Sequence, residues 1–579
     1  MDSGGSTEEP SCAGVEEAAP FTGKKSTEAA SSVVDAGRWS SVANVVVVVV
    51  VLIMTVPLII LIRSGRRLDA PAVWINSTVA GLGAAQQQRE PMRDILLGGL
   101  LLPGFDERSC ASRYQSVYYR KNMTRSPAPY LLQRLREQEA LQRRCGPGTE
   151  PYARASERLK SGQKYSAMDD AVDGGCSYLV LLSYRGLGNR VLATVSAFLY
   201  ATLTSRVLLV DRGKTFADLF CEPFQGATWL LPLDFPLEGY RDLWEGAAES
   251  YGNVTLRNDT GPASEHRYVY IHLDHAAAPA NRLAYCDDHR RSFLRRVQWV
   301  LLRTDSYMPP SLFLNPAYQE ELARMFPRQD SVFYLISRYL LHPTNDVWGR
   351  VTRFYDSYLK NADETLGIQV RVFDAATPPQ NVLDQILACT SQEHLLPGVA
   401  ASAAGEAPPL PTAADARPNK AVLITGLNGW YHDRIRDMYW RSPSMNNEVV
   451  SVHQPSHEEV QHFFRTMHDK KALAEMYLLS MTGKIVTSGW STFGYVGSAL
   501  GGITPYIMTK PGRKQKKVPD PPCRRAMSME PCNHGPAYFE CTRKEIHKII
   551  DTGKLVPHVR ACEDMSWGLK LTEPIEEKV

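Results

Sequence analysis

The chain has 579 residues, enough for two or three domains of ordinary size, and 44% are hydrophobic, so a sizeable core can be buried. Its formal net charge is only +3. That argues against a dedicated nucleic-acid binder, which carries a concentrated basic stripe, whereas a small anionic ligand needs only a few local cations.

Residues 1–41 are rich in Ser, Ala, Gly and Glu and read as a disordered cytosolic tail. Val42 to Ile62 carries no charge and is long enough to span a hydrocarbon core of roughly 30 Å. It is too long, and starts too far into the chain, for a cleaved signal peptide. Flanking charge leaves its orientation open: Lys24, Lys25 and Arg38 precede it, and Arg63, Arg66 and Arg67 follow closely, which by itself slightly favours a cytosolic C-terminus. Two other patterns favour the opposite orientation. Four N-glycosylation sequons, at Asn76, Asn122, Asn253 and Asn258, all follow the span. Of 11 cysteines, Cys12 alone precedes it, and the remaining even number suits an oxidising compartment. The expectation is a single-pass type II membrane protein with a lumenal catalytic region.

Residues 63–99 read as a stem, and compact sequence begins near Leu100. A helix is expected over Pro129–Arg144. Tyr178–Leu182 is a short apolar run suited to a buried strand, Ser183–Arg190 is a turn-rich loop, Val191–Ser205 has helical length and period, and Val207–Val210 is a second strand. Together they read as a βαβ unit. A second series begins with a helix over Val347–Asn361. Strands are expected at Ile368–Phe373, Ala421–Thr425, Glu448–Val452, Lys484–Ser488 and Ile503–Met508, with helices at Ser456–His468, Lys471–Met481 and Phe493–Leu500. Two blocks of βα alternation predict an α/β protein with two open parallel-sheet domains, 100–345 and 346–579, the second interrupted by an Ala/Pro-rich loop at 397–419.

Three segments could hold an anion. Arg185-Gly-Leu-Gly-Asn-Arg190 follows a strand and opens a helix, whose free N–H groups suit a phosphate, although a plain tight turn is the commoner reading of the pattern. Its Gly186-x-Gly188, with Asp211 after the next strand, imitates a dinucleotide fingerprint, but Val191 stands at the third glycine position. Arg371 lies within the apolar strand expected at Ile368–Phe373, near its C-terminal end, where its planar fork could grip a diphosphate or form a surface ion pair. Thr487-Ser-Gly-Trp-Ser-Thr-Phe-Gly-Tyr495 offers hydroxyls and N–H groups at a strand-to-helix turn, with simple capping by Ser491 or Thr492 as the plainer reading. Asp305 and His342 are candidates for acid–base work, the first as a loop carboxylate and the second beside a helix-capping turn. No Asp-x-Asp metal–nucleotide motif occurs, and the late cysteines lack zinc-knuckle pairing, so disulfides fit them better.

Ser183-Tyr-Arg-Gly-Leu-Gly-Asn-Arg190, Tyr334-Leu-Ile-Ser-Arg-Tyr-Leu-Leu-His-Pro-Thr-Asn345, Ile368-Gln-Val-Arg-Val-Phe373, Ala472-Leu-Ala-Glu-Met-Tyr477, Ser491-Thr-Phe-Gly-Tyr495 and Cys523-Arg-Arg-Ala-Met-Ser-Met-Glu-Pro-Cys532 resemble the plant galactoside α-1,2-fucosyltransferases of glycosyltransferase family 37. So do Leu555–Arg560 and Cys562–Leu569, and the likeness runs from about Leu101 to Leu571. The resemblance implies a variant GT-B fold of two Rossmann-like domains, acceptor side first, with GDP-fucose held between them and no divalent metal required. It implies inverting transfer of L-fucose from GDP-fucose to a galactosyl or arabinosyl residue of a cell-wall glycan, such as xyloglucan or arabinogalactan protein, at the Golgi membrane. Arg371 matches the arginine that holds the GDP diphosphate. Gly188, Asn189 and Arg190, with Ser491, Thr492 and Phe493, match donor-site segments, and Asp305 matches the acidic residue nearest the reacting acceptor. A homodimer, or a complex with other glycosyltransferases, is compatible with it. The competing reading is a catalytically degenerate relative that binds a GDP-sugar or glycan. The chain departs from the family pattern in its long loop near 400, at Gly489 and at Gly497-Ser498.

Overall fold

Short, wholly apolar runs set the frame, because a strand without a polar side must be covered on both faces. In the computed structural model, residues 94–573 are described apart from 121–122, 164–174, 183, 214, 262–263, 289–291, 401–416, 464, 511–516 and 537–551. Helices Pro129–Cys145 (α1) and Glu150–Ser161 (α2) precede the first sheet. Strands Tyr178–Leu182 (β1), Val207–Val210 (β2), Val269–His272 (β3) and Trp299–Arg303 (β4) pair in parallel in the order β2-β1-β4-β3. Tyr178, Val180, Leu209 and Trp299 face α2, where Tyr152 and Leu159 cover them. Leu179, Leu181, Val210 and Leu302 face the other way, into a core shared with helix Leu187–Thr204 (α3).

The second sheet begins after helix Asn345–Tyr358 (α4). Its strands are Glu364–Val370 (β5), Asn419–Gly426 (β6), Val449–His453 (β7), Lys484–Ser488 (β8), Tyr506–Met508 (β9) and Cys523–Arg525 (β10), in the order β10-β9-β8-β5-β6-β7. All pairings are parallel except that of β10 with β9. Helices Pro379–Gln392 (α5) and Gly429–Arg441 (α6) cover Ile368, Val422, Ile424 and Val486 on one face. Helices Thr466–Ser480 (α7) and Thr492–Gly501 (α8) carry Leu473, Met476, Leu479, Val496 and Leu500, which join the core cluster that also holds α3. One buried cluster therefore links the two sheets.

Four disulfides, Cys110–Cys221, Cys145–Cys176, Cys389–Cys523 and Cys532–Cys562, cross-link the described residues, and Cys286 is also disulfide-bonded. Such links stabilise chiefly by restricting the unfolded chain. The cysteine pattern after residue 62 anticipated this state, although not the pairing.

Three boundaries differ from expectation. Strand β5 stops at Val370, so Arg371 is the first loop residue rather than a strand residue. The two helices expected over 456–481 are one, α7. Before it the chain is irregular, because its carboxylates serve neighbours: Glu459 accepts from the Gly429 N–H (3.3 Å), and Glu458 pairs with Lys471 (2.5 Å). Strands β3 and β4 extend the first sheet beyond the anticipated βαβ unit. The expected tail (1–41), membrane span (42–62), most of the stem, Asn76, Asn122 and most of the loop at 397–419 lie outside the described residues. No helix among the described residues is long and apolar enough to cross a membrane.

Candidate active site

In an open α/β sheet, the crevice forms where neighbouring strands send their connections to opposite faces, at the carboxyl ends of those strands. The first sheet has that switch between β1 and β4, and the second between β5 and β8. The loops leaving these four strands all line one cavity of about 580 Å³. From the first sheet come Arg185–Arg190 after β1 and Asp305 after β4, and from the second come Arg371 after β5 and Trp490–Phe493 after β8. Gly188, Asn189, Arg190, Asp305, Arg371, Ser491, Thr492 and Phe493, all singled out in the sequence, are thus brought to one place.

On the first-sheet side, the Asp305 side chain is only 1% exposed and both its oxygens are occupied. Oδ1 accepts from the backbone N–H of His275 (3.0 Å) and from Ser306 Oγ (3.1 Å). Oδ2 accepts from His275 Nδ1 (2.6 Å) and lies 3.1 Å from Arg185 Nε. The bond to Asp305 raises the His275 pKa above its ordinary value, against the opposing effect of burial. Asp274 stands alongside. Burial alone would raise its pKa, but hydrogen bonds from His272 and Tyr184 hold it below the ordinary carboxylate range. Asp274, His275 and Asp305 each offer a ligand atom within 4.8 Å of one another, a grouping that could suit a metal ion. Arg185 reaches both carboxylates, at 3.1 and 3.7 Å, and supplies positive charge to that cluster.

On the second-sheet side, Arg371 is half-buried, and burial lowers its pKa from the ordinary value. The cavity is lined by two other arginines, Arg185 and Arg190, which are both in ion pairs. Arg371 has no carboxylate partner among the described residues. Beside it, the ten-residue helix α8 begins with Ser491 as its cap, Oγ accepting from the Gly494 N–H. The N–H groups of Thr492 and Phe493 in its first turn have no partner among the described residues, so they and the helix dipole present positive charge to the cavity. Trp490, just before the cap, has φ of 63°, uncommon for a bulky residue. Asp564 holds it there, accepting from its backbone N–H (2.7 Å) and, through the backbone carbonyl, from its indole N–H.

The two sides meet directly. Asn189 donates to the Asp305 carbonyl (3.1 Å) and accepts from Thr492 Oγ1 (3.1 Å). Gly188 permits this approach: a Cβ there would lie 2.6 Å from Thr492 Oγ1 and 2.9 Å from the Phe493 nitrogen. Gly188→Ala should push the starts of α3 and α8 apart, costing about 1–3 kcal/mol as overpacking does and weakening nucleotide binding at α8. Urea unfolding with calorimetric GDP titration checks both, and a variant with wild-type stability and affinity would refute the steric reading. Arg190 is buried, its Nη2 paired with Asp469 (2.7 Å) and its Nη1 donating to Thr215 Oγ1 (2.8 Å).

The structure leaves two candidates outside the cavity. His342 is buried with Nε2 against the Tyr339 carbonyl, and burial depresses its pKa strongly. Asp211, the acidic residue of the dinucleotide mimic, is taken by Arg241 (2.7 Å) and Tyr240 (3.1 Å). Sequence reading missed His275, Asp469 and His534, all of which line the cavity. The signal for His275 was its place after an apolar run, Tyr268–Ile271, that reads as a strand.

Residues 75–542 match the family described as xyloglucan fucosyltransferase. Galactoside 2-alpha-L-fucosyltransferases of Pisum sativum and Arabidopsis thaliana are 48% and 49% identical, covering 84% and 83% of this chain and 83% of each relative. A solved structure of a mutant of Arabidopsis thaliana FUT1 in complex with GDP is 48% identical, with a TM-score of 0.74, covering 83% of this chain and all of that one.

Proposed function

Because the chain belongs to the xyloglucan fucosyltransferase family, we propose that it transfers L-fucose from GDP-fucose to the 2-hydroxyl of a galactosyl or arabinosyl residue of a cell-wall glycan, with inversion. The observation that carries this reading is Arg371, a half-buried guanidinium without a described carboxylate partner, beside the open N-terminus of α8. A site so arranged suits a multivalent anion such as the diphosphate of a nucleotide sugar.

The chemistry follows from charge. As the bond from fucose C1 to the diphosphate oxygen lengthens, positive charge spreads over the sugar ring and negative charge gathers on GDP. Arg371 and the N–H groups of α8 stand ready for the second of these, and being fixed before the reaction they need no reorganisation. The His275–Asp305 pair lies across the cavity, on the side assigned to the acceptor. The test is incubation of the full-length chain with radiolabelled GDP-fucose and a panel of galactosylated xyloglucan and arabinogalactan acceptors. Label should pass to a glycan; release of free fucose alone, with every acceptor, would overturn the reading.

We further propose that no divalent metal is required, since Arg185 and neighbouring hydrogen-bond donors already engage the carboxylates that could have bound one. Excess EDTA should change the initial rate by less than about twofold, against the several kcal/mol a Lewis-acid metal contributes. A rate lost to EDTA and restored by Mg²⁺ or Mn²⁺ would reverse this.

The disulfides support a lumenal catalytic region in a single-pass type II Golgi protein. Of the two described sequons, Asn253 has its Nδ2 tied to the carbonyls of Gly246 and Ala247 at 3.1 and 2.9 Å, whereas Asn258 is exposed in a left-handed turn. Material from a secretory host should carry glycan at Asn258 and not at Asn253, read by peptide mass spectrometry after enzymatic deglycosylation in heavy-oxygen water.

A further inference from the structure

We propose that His275, through Nε2, takes the proton of the acceptor hydroxyl, with Asp305 behind it as the residue that positions the ring. The inference rests on the fucosyl-transfer reading above and assigns one atom within it. An accepting group needs a lone pair open to the substrate. Asp305 has none to offer, since four donors fill its two oxygens and its side chain is 1% exposed. His275 is the opposite case. Its ring is 46% exposed and lines the cavity, and Nε2 has no partner among the described residues. The Nδ1 contact with Asp305 at 2.6 Å places the ring proton on Nδ1, so the neutral ring keeps its lone pair at Nε2.

The surroundings hold this arrangement. Asp305 also accepts from the His275 backbone N–H, so the carboxylate grips main chain and side chain together. Gly535 passes so close that an added Cβ would sit 2.8 Å from the His275 Cα, fixing the loop from the far side. A carboxylate behind an imidazole orients it and stabilises the cation that forms when it accepts a proton.

The step balances simply. The acceptor oxygen forms a bond to fucose C1, the bond from C1 to the β-phosphate oxygen breaks, and its electron pair leaves with GDP. The acceptor proton passes to Nε2 and then to water after the products depart. The groups facing His275 are Asp274 from its own loop, Asp305 after β4, Arg185 after β1 and His534 from the C-terminal segment. Burial depresses His534 to about 4, so it stays neutral through the working range. A base must be unprotonated, so transfer should fall as the pH drops through the raised His275 pKa.

The test uses the full-length chain with GDP-fucose and a galactosylated xyloglucan oligosaccharide. His275→Ala should lower kcat by roughly 10²–10⁴-fold, lose the acid limb of the pH profile, and keep its GDP affinity. Added imidazole should restore part of the rate. His275→Gln, closer in volume, guards against a folding defect and should show the same loss. Asp305→Asn should move the acid limb to lower pH, because it removes the bond that raises the His275 pKa; a merely structural role would leave the limb in place. Transfer by the wild type, with His275→Ala retaining rate and acid limb within about threefold, would overturn this inference alone. A wild type that binds GDP yet transfers to no acceptor would overturn the fucosyl reading and the inference together.

Discussion

Arg371→Ala should weaken GDP binding about a hundredfold and lower transfer further still. The first figure follows from removing one partner of a desolvated charge pair, which costs about 2–5 kcal/mol, where 1.4 kcal/mol is about tenfold in affinity. The additional loss in transfer follows from timing. The diphosphate gains charge as fucose departs, so the guanidinium is worth more in the transition state than in the bound nucleotide. Arg371→Lys should recover only part of either, because an ammonium is a point charge without the planar fork that engages two oxygens. Stability should move the other way. Burial already depresses the Arg371 pKa, and no described carboxylate offsets the charge, so the unliganded protein gains nothing from carrying it. The alanine variant should unfold at the wild-type temperature or slightly above it, while GDP should raise the wild-type Tm and shift that of the variant far less. Calorimetry and thermal unfolding with and without GDP read all of this. Unchanged GDP affinity would remove Arg371 from the donor site.

Much of this site was legible because it is built at strand ends. Tyr178–Leu182 is apolar throughout and Lys484–Ser488 is β-branched from Ile485 to Thr487, so both read as strands, and each is followed by a turn-rich segment and a helix. That pattern alone puts Arg185–Arg190 and Ser491–Phe493 at carboxyl ends, where α/β sheets bind ligands. Arg371 was found for the same reason, although its strand ends at Val370, three residues sooner than expected. What the pattern could not supply was pairing between distant segments. Asp305 and His275 are 30 residues apart, and Arg190 and Asp469 are 279 apart, so neither bond has a local signature.

Charge assignments suffered most. Arg185, Arg190 and Arg371 look alike in the sequence as cations near turns. Only the fold distinguishes a guanidinium locked to Asp469, one shared between Asp274 and Asp305, and one left unpaired among the described residues. Gly188 has a further reason for lacking a side chain that no local pattern reveals, the close approach of Thr492 from the other block.

Breaking the Arg190–Asp469 pair from either side should cause a large loss of stability. Both residues are 4% exposed, and Thr215 closes the group, donating to Asp469 at 2.6 Å while accepting from Arg190 at 2.8 Å. Only one of the two charges sits awkwardly on its own helix. Arg190 lies in the first turn of α3, where the helix dipole disfavours a cation, and Asp469 lies in the first turn of α7, where it favours an anion. The pair resolves that difficulty and pins a helix of one sheet to a helix of the other. Arg190→Ala would leave a buried carboxylate with only Thr215, and Asp469→Ala a buried guanidinium against a helix N-terminus. Either should cost about 3–5 kcal/mol. The double variant Arg190→Met with Asp469→Leu removes both charges while keeping volume, and should cost far less, since no charge is left without its partner. Urea unfolding of the three variants decides the matter. If the double variant were as unstable as either single one, the loss would lie in packing at the α3–α7 contact rather than in stranded charge.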